Sequence, residues 1–342
     1  MRALVTGGTG FIGRRLVPRL VERAGASAVT CIVKAAASPL EAEALDRFRG
    51  LGVRLIHGDL LRRPIVDDTP PTVDAVFHLA ANIDTDASEQ ELRVNVEGTR
   101  QLLEWLRPVS PGVRIVYASS VAVHDRVAEP QGPIVEDSPL TPRTLYGKTK
   151  LEGEEILRRR AATDGFTFTI LRLPTVYGPG QKAEGLFDKL MSLASRGALL
   201  GRIDWPGRTS IVYVDDVANA MIDLAADQTA AGATYCVASD DAITVGQLAR
   251  AIGEAVGHPV DPIAIPAAAL GIIRSIVWSR VASQLMPRAA RLSFWRLSLM
   301  VSDGFWFDAS RFRRAYPKPM RSLKEGLREM FSEKGSKIST GF

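Results

Sequence analysis

A tyrosine and a lysine lie four residues apart in the segment YGKTK, residues 146–150. On a helix, this spacing puts Tyr146 and Lys150 on one face, with their Cβ atoms roughly 6 Å apart. A phenol has an ordinary pKa of about 10, and a neighbouring ammonium group lowers that pKa by favouring the phenolate. The pair therefore predicts a tyrosine that exchanges a proton with a substrate near neutral pH, although a solvent-facing helix pair has the same spacing.

A strand-end hydroxyl precedes this pair in the segment RIVYASSVAV, residues 114–123. Its apolar, β-branched start is typical of a strand, and the strand is predicted to end in Ser119 and Ser120. A hydroxyl at that position can hold a carbonyl or alcohol oxygen beside the phenol. We therefore predict that Ser120, Tyr146 and Lys150 form a catalytic set.

The opening segment of the chain is predicted to bind a pyrophosphate. Gly7, Gly10 and Gly13 follow the short apolar strand Ala3–Val5, and apolar residues recur at helical spacing over residues 11–20. Glycines let the backbone turn tightly and approach a pyrophosphate, and the N-terminus of the following helix offers N–H groups and a partial positive charge. This context favours a dinucleotide site over a tight turn without a ligand.

The type of dinucleotide is predicted from Lys34, which follows the apolar segment 29–33 about 20 residues beyond the glycine loop. An acid at this point holds the ribose hydroxyls, but no Asp or Glu lies between Glu22 and Glu41. A lysine attracts a 2′-phosphate, so we predict NADP(H) with NAD as the alternative; Lys34 could also simply face solvent. Asp59 is predicted to accept a hydrogen bond from the adenine amino group or to cap a helix.

Strands and helices alternate along the first half of the chain. Helices are predicted over Glu89–Leu106 and Leu145–Arg160. Such alternation indicates an α/β fold in which a Rossmann-type, doubly wound parallel sheet is covered on both faces. The predicted strands after the first two are Val53–Ile56, Ala75–Leu79, Arg114–Tyr117 and Thr167–Leu171.

Composition limits the functional classes. The chain has 342 residues and a net charge of +5, and this mild basic excess predicts no nucleic-acid partner. Its two cysteines, Cys31 and Cys236, suit a reducing compartment and provide no disulfide framework. No signal peptide is recognised, and the apolar run Pro262–Ile273 is too short to cross a bilayer. We therefore expect a cytoplasmic enzyme.

Eight motifs together resemble those of a known superfamily. They occur in one order, which makes the resemblance specific, and they extend over residues 1–240. The chain resembles the extended branch of the short-chain dehydrogenase/reductase superfamily, which includes reductases, dehydrogenases, sugar epimerases and sugar dehydratases. The motifs are TGGTGFIG (6–13), GDL (58–60), HLAA (78–81), VNVEGT (94–99), YASS (117–120), YGKTK (146–150), LRLPTVYGPG (171–180) and YVDDVA (213–218).

This resemblance implies roles for individual residues. Tyr146 would be the catalytic acid/base, Lys150 would tune it and bind the ribose, and Ser120 would hold the substrate oxygen. Asn95 would support the proton relay. The residues implied to bind cofactor are Gly7, Gly10, Phe11, Ile12, Gly13, Lys34, Asp59, Leu60, Leu79, Ala80, Ala81, Tyr146, Lys150, Pro174 and Val176, and those implied to bind substrate are Ser120, Tyr177 and Arg208.

The resemblance also implies a division of the chain. A Rossmann domain would occupy residues 1–175, and a smaller, mainly helical C-terminal substrate lobe would occupy residues 176–331, with returns to the sheet. The catalytic fold is then expected to end near Phe331, with a flexible tail at 332–342. We expect a homodimer that acts on a small molecule and uses no metal.

Two departures from the superfamily's patterns narrow the activity. Val121 and Ala122 stand where nucleotide-sugar dehydratases carry an Asp–Glu pair, so a dehydratase is not expected. Lys34 and Thr175 replace residues that many epimerases carry. Arg208 resembles an arginine that grips the substrate diphosphate in epimerases, but a surface arginine near a turn is the favoured interpretation of this residue. We therefore predict an NADP(H)-dependent oxidoreductase for a carbonyl/secondary-alcohol pair. A nucleotide-sugar epimerase and a non-catalytic dinucleotide-binding subunit are the alternatives.

The segment 262–302 combines apolar residues with basic ones and contains no acid. Its pattern predicts one or two amphipathic helices broken near Pro287. Three interpretations stay open: lobe core with a solvated basic face, a pocket for an apolar or anionic substrate, and a peripheral membrane surface. The five arginines of the segment are Arg274, Arg280, Arg288, Arg291 and Arg296.

Overall fold

A seven-stranded, wholly parallel sheet forms the centre of the computed structural model. The structure describes residues 1–66, 69–109, 111–124, 132–181, 187, 190, 192, 202–239, 242–259, 261–278, 297, 299–302 and 305–338. The strands are β1 (Ala3–Thr6), β2 (Val29–Val33), β3 (Arg54–His57), β4 (Ala75–His78), β5 (Arg114–Ser120), β6 (Thr167–Leu173), β7 (Thr175–Tyr177), β8 (Arg208–Thr209), β9 (Ile211–Tyr213), β10 (Ala233–Cys236) and β11 (Ile243–Thr244).

Helices cover both faces of this sheet, as the predicted fold class requires. Successive strand residues point to opposite faces: Val5 packs into one apolar cluster, whereas Leu4 packs into the other. The helices are α1 (Gly13–Ala24), α2 (Pro39–Gly50), α3 (Glu89–Leu106), α4 (Leu145–Asp164), α5 (Val214–Ala226), α6 (Val245–Ala255), α7 (Ala267–Trp278), α8 (Ser310–Ala315) and α9 (Leu323–Ile338), with 3₁₀ turns at Ala26–Ala28, Arg107–Val109, Val121–Val123 and Gln228–Ala230.

Local sequence signals set the start of the two helices that matter most for the site. Helix α3 begins after Ser88, whose side chain accepts from the Glu91 N–H while the Glu91 carboxylate accepts from the Ser88 N–H, which is a capping box. Helix α4 begins after Thr144, whose side chain accepts from the Gly147 N–H. The predicted α3 is confirmed at both ends, and α4 continues past the predicted Arg160.

The strand order places the candidate site. It is β10-β6-β5-β4-β1-β2-β3, so the chain runs outward from β1 in one direction and from β4 in the other. In open parallel sheets, ligands bind outside the carboxyl ends of the strands where this reversal occurs. The glycine loop follows β1 and Ser120 ends β5, so both lie at this edge of the sheet.

A smaller lobe follows, built from α6, α7, α9 and two short two-stranded sheets, β7 with β9 and β8 with β11, around a third apolar cluster. Strand β10 and helix α5 return to the main sheet. The last helix, α9, continues to Ile338, seven residues beyond Phe331, and the expected end of the catalytic fold near Phe331 stays a prediction. No helix among the described residues is long and apolar enough to cross a bilayer.

Candidate active site

The glycine loop lies against the end of β4. Gly7 has φ +71°, and a Cβ at this residue would lie 2.6 Å from the Ala80 nitrogen. Only glycine combines that backbone conformation with so close an approach. The segment Leu79–Ala81 is half-buried beneath the loop, as are Gly10, Phe11 and Ile12. The predicted pyrophosphate loop and HLAA motif are therefore in contact.

Helix α1 starts immediately after this loop, at Gly13. The residue before it, Ile12, makes no side-chain cap, and the first turn holds no acidic residue. Helices α2, α3 and α4 differ, since each has its own serine or threonine cap. An uncapped helix start behind a glycine turn fits a phosphate group, so these residues fit the pyrophosphate of a dinucleotide.

The adenosine end is predicted near Lys34, and the structure holds a cavity of about 370 Å³ there. Its lining includes Lys34, Asp59 and Arg62. The Lys34 Nζ lies 3.0 Å from Asp59 Oδ2, although Lys34 is largely exposed. A carboxylate thus stands beside Lys34, contrary to the expectation from sequence neighbours, because β2 and β3 are adjacent in the sheet.

The second oxygen of Asp59 is bound as well. Asp59 Oδ1 accepts a hydrogen bond of 2.9 Å from the Leu61 N–H in a turn. No helix follows in residues 60–66, so the predicted helix cap is wrong. The Leu61 hydrogen bond, against the effect of burial and with further help from Lys34, lowers the pKa of Asp59. Leu60 packs into the core beside Gly98, so its side chain does not line this cavity.

The predicted catalytic residues lie on two elements in direct contact. Ser120 ends β5, is nearly buried, and its Oγ accepts a hydrogen bond of 3.2 Å from the Ala122 N–H. Helix α4 carries the half-buried Tyr146, followed by Gly147. A Cβ at Gly147 would collide with the Ala122 carbonyl oxygen. The glycine inside YGKTK therefore lets the first turn of α4 pack on the turn that follows Ser120.

Lys150 is buried one helical turn after Tyr146. Its Nζ donates a hydrogen bond of 2.9 Å to the Ala118 carbonyl and lies 5.0 Å from the centroid of the Tyr117 ring. Burial lowers the pKa of Lys150 to about 8, while the charge of Glu154 acts in the opposite direction. Such a lysine carries its charge near neutral pH and responds strongly to neighbouring charges.

Asn95 joins the loop after β4 to helix α4. Its Oδ1 accepts from the Asn82 N–H at 2.8 Å, and its Nδ2 donates to the Asn82 carbonyl and to Thr149 Oγ1, both at 2.9 Å. Its amide thus fixes the position of α4 relative to α3. The relay role that the resemblance implies for Asn95 stays a prediction.

His78 is a packed strand residue at the end of β4. Its Nδ1 lies 2.7 Å from Thr6 Oγ1, and its Nε2 lies 2.9 Å from Thr99 Oγ1. Thr99 donates its own hydrogen to the Asn95 carbonyl, so His78 Nε2 donates to Thr99 and Nδ1 accepts from Thr6. Burial, with the nearby Lys150 charge, lowers the pKa of His78 to about 3, so the ring is neutral.

A buried ion pair behind the catalytic residues was not predicted from the sequence. Arg172 of β6 donates to both oxygens of Glu154 of α4, at 3.0 and 2.8 Å. Both side chains are within 2% of complete burial. A charged residue inside the apolar strand TILRL was the available signal, since charges are rarely buried unless paired.

Two residues predicted to bind substrate have different surroundings. Tyr177 is fully buried in the core of the lobe, stacked on Phe187 with 5.1 Å between ring centroids, and its contact with substrate stays a prediction. Arg208 lies in β8, half-buried, with its guanidinium 4.4 Å from the Trp306 ring centroid. It is therefore not a simple surface arginine near a turn. Pro174, which precedes β7, and Val176 of β7 are both half-buried.

The segment 262–302 is only partly described. Its helix α7 exposes Ile272 and Ile276, at 62% and 52% of their surfaces. Arg274 instead points inward, and its Nε donates to the Val301 carbonyl at 3.0 Å. Residues 279–296 and 298, with the other four arginines and Pro287, lie outside the described residues.

Known proteins resemble the chain over most of its length. Sterol demethylase protein B of Methylococcus capsulatus is 30% identical over 320 residues, 92% of each chain. The 2-alkyl-3-oxoalkanoate reductase of Stenotrophomonas maltophilia is 29% identical over 343 residues, 96% of this chain and 98% of that protein. The crystal structure of UDP-glucose 4-epimerase from Thermotoga maritima, with UDP-glucose, has a TM-score of 0.72 at 23% identity, covering 99% of this chain and all of that one.

One known protein family matches the part of the chain that contains the candidate site. Residues 3–238 match the NAD dependent epimerase/dehydratase family. This span includes the glycine loop, the strand-end Ser120 and the Tyr146–Lys150 pair. The chain belongs to this family, within the extended short-chain dehydrogenase/reductase superfamily, and is an NAD(P)-dependent enzyme.

Proposed function

We propose that the protein is an NADP(H)-dependent oxidoreductase that interconverts a carbonyl group and a secondary alcohol. The observation that carries this proposal is the contact between the turn after Ser120 and the first turn of α4, which carries Tyr146 and leads to the buried Lys150. Val121 and Ala122 follow Ser120 and carry no carboxyl group, so this part of the site offers no acid for eliminating water.

The chain's own residues would handle the substrate oxygen and its proton. Bound nicotinamide supplies or accepts the hydride. Ser120 donates a hydrogen bond to the substrate oxygen, and Tyr146 gives that oxygen a proton in reduction or removes it in oxidation. Lys150 stabilises the phenolate with its charge. The half-buried loop segments around Gly10 and Ala80 would limit the access of water to the bound cofactor.

The substrate is proposed to carry an apolar body. The names of two relatives, a sterol demethylase protein and an alkyl-oxoalkanoate reductase, refer to apolar molecules. Helix α7 contributes apolar side chains to the lobe, and Arg208 provides a half-buried cation for an anionic group. A homodimer and peripheral membrane contact through 262–302 stay predictions.

A nucleotide-sugar epimerase is the second candidate. The Asp59 carboxylate beside Lys34 favours it, because an acid near the ribose suits NAD, which an epimerase retains. The similarity in fold to UDP-glucose 4-epimerase is compatible with both candidates.

The two candidates differ in what happens to the cofactor. Purified protein should be incubated with NADPH or NADH and a panel of hydrophobic ketones and nucleotide sugars, while the absorbance of the reduced nicotinamide is followed. Net oxidation of NADPH by a ketone supports the oxidoreductase. Conversion of a nucleotide sugar without net consumption of cofactor contradicts it and supports the epimerase.

Ser120→Ala is expected to lower kcat by less than Tyr146→Phe does, because Ser120 orients the substrate oxygen whereas Tyr146 transfers the proton. Steady-state kinetics of both variants on the same substrate measure the difference. Equal losses would indicate that the two hydroxyls act as one relay. An unchanged kcat would exclude Ser120 and transfer its role to Ser119.

A further inference from the structure

The buried pair formed by Glu154 and Arg172 connects two elements of the site. Glu154 lies on α4, four residues after Lys150, and Arg172 lies on β6 beside β5. The Glu154 carboxylate also accepts a hydrogen bond from Ser119, the neighbour of Ser120. One buried carboxylate therefore holds both the helix that carries Tyr146 and Lys150 and the strand end that carries Ser120.

Arg172 is itself fixed on its other side. Its Nη1 donates to the Glu136 carbonyl at 2.7 Å and lies 3.1 Å from His124 Nε2. His124 Nδ1 faces the Pro139 carbonyl at 3.2 Å, which only accepts, so Nδ1 carries the hydrogen and Nε2 accepts from Arg172. This arrangement holds the guanidinium in one orientation. Although burial raises it, the hydrogen bonds and charge of Arg172 keep the pKa of Glu154 below its usual value.

Lys150 has mostly neutral surroundings. The groups that act on it are the Ala118 carbonyl and Tyr117 ring of β5, the neutral His78 of β4 and Glu154 of its own helix, and Tyr146 stands one helical turn before it. Towards α3, its neighbour Thr149 bonds the uncharged Asn95. Among the described residues, the negative charge of Glu154 is therefore the one that favours the ammonium form of Lys150.

We propose that Glu154, held by Arg172, is a positioning residue that aligns Ser120 through Ser119 and keeps the buried Lys150 charged. The inference rests on the proposed function of the Ser120–Tyr146–Lys150 set. From one buried position, this carboxylate acts on two of the three catalytic residues, Ser120 and Lys150. Removing the carboxylate would loosen the strand end and lower the pKa of Lys150 at the same time.

The test is the variant Glu154→Gln, which keeps the shape of the side chain and removes its charge. We expect kcat to fall by about tenfold and the limb of the pH–kcat profile that reports Lys150 to shift to lower pH by about 0.5 to 1 unit, because Lys150 then loses its proton more easily. Glu154→Gln/Arg172→Met removes both charges and is expected to show a smaller shift. An unshifted limb in both variants would overturn the proposal and leave the pair a structural one.

Two further variants keep the test decisive if Glu154→Gln does not fold. Ser119→Ala removes only the bond to the strand end, so kcat should fall severalfold while the pH limb stays in place. Arg158→Met removes a partly exposed partner of Glu154 and should leave both quantities nearly unchanged. A Ser119→Ala variant with wild-type kcat would contradict the alignment through Ser119.

An NMR titration of labelled lysine separates this inference from the proposed function. It follows the ionisation of Lys150 directly, with Lys150→Met to assign the signal, and it requires no substrate. A lower pKa for Lys150 in the double variant than in wild type supports the inference even if no ketone is reduced. An unchanged pKa would overturn it even if the oxidoreductase activity is found.

Discussion

Tyr146→Phe is expected to lower kcat by at least about a hundredfold while the affinity for cofactor stays nearly unchanged. The ring is retained and only the proton-exchanging hydroxyl is lost, and general acid–base catalysis contributes roughly 10²–10⁴-fold. Tyr146 is half-buried at the start of α4, so the change leaves no large cavity and no buried charge. Steady-state kinetics and a cofactor titration on the same preparation measure the two quantities.

A matched tyrosine provides the control for this change. Tyr235 lies on β10, an edge strand of the main sheet, and contacts Phe312 edge to face. Tyr235→Phe should leave kcat near the wild-type value. A Tyr146→Phe enzyme that retains more than about one hundredth of the wild-type rate would show that another group transfers the proton.

The parts of the site that the sequence predicted correctly depend on local signals. Helix α3 has its predicted bounds because Ser88 and Glu91 form a capping box that can be read three residues apart. The parallel sheet covered on both faces follows from the alternation of strands and helices, and in the structure this sheet brings the glycine loop to the HLAA segment.

The parts that it did not predict depend on which elements become neighbours. Lys34 and Asp59 are 25 positions apart in the chain, yet they pair because β2 and β3 are adjacent. Glu154 and Arg172 meet only when α4 packs on the sheet. Tyr177 lies in a motif that suggested contact with substrate, but its ring is buried in the apolar core of the lobe. Local spacing carries no information on such pairings.

Lys34→Glu is expected to weaken NADP binding by at least tenfold and to leave NAD binding unchanged or improved. A 2′-phosphate carries about two negative charges, and a charge-assisted contact with an ammonium is worth about 1.5–3 kcal/mol before solvent screening. That energy corresponds to about one to two powers of ten in affinity. Because Lys34 is largely exposed, the preference of the wild-type protein for NADP should also decrease as salt increases.

A substitution of Asp59, in the same cavity, is expected to change the cofactor preference in the opposite direction. Its carboxylate lies 3.0 Å from the Lys34 ammonium, so a 2′-phosphate must compete with it for that charge. Asp59→Asn keeps an oxygen that can accept from the Leu61 N–H but removes the negative charge. The ratio of NADP affinity to NAD affinity should therefore increase in Asp59→Asn and decrease in Lys34→Glu, which titration of both cofactors into the three proteins measures. A wild-type protein that binds NAD more tightly than NADP would contradict the NADP assignment and favour the epimerase, because Asp59 rather than Lys34 would then determine which cofactor is bound.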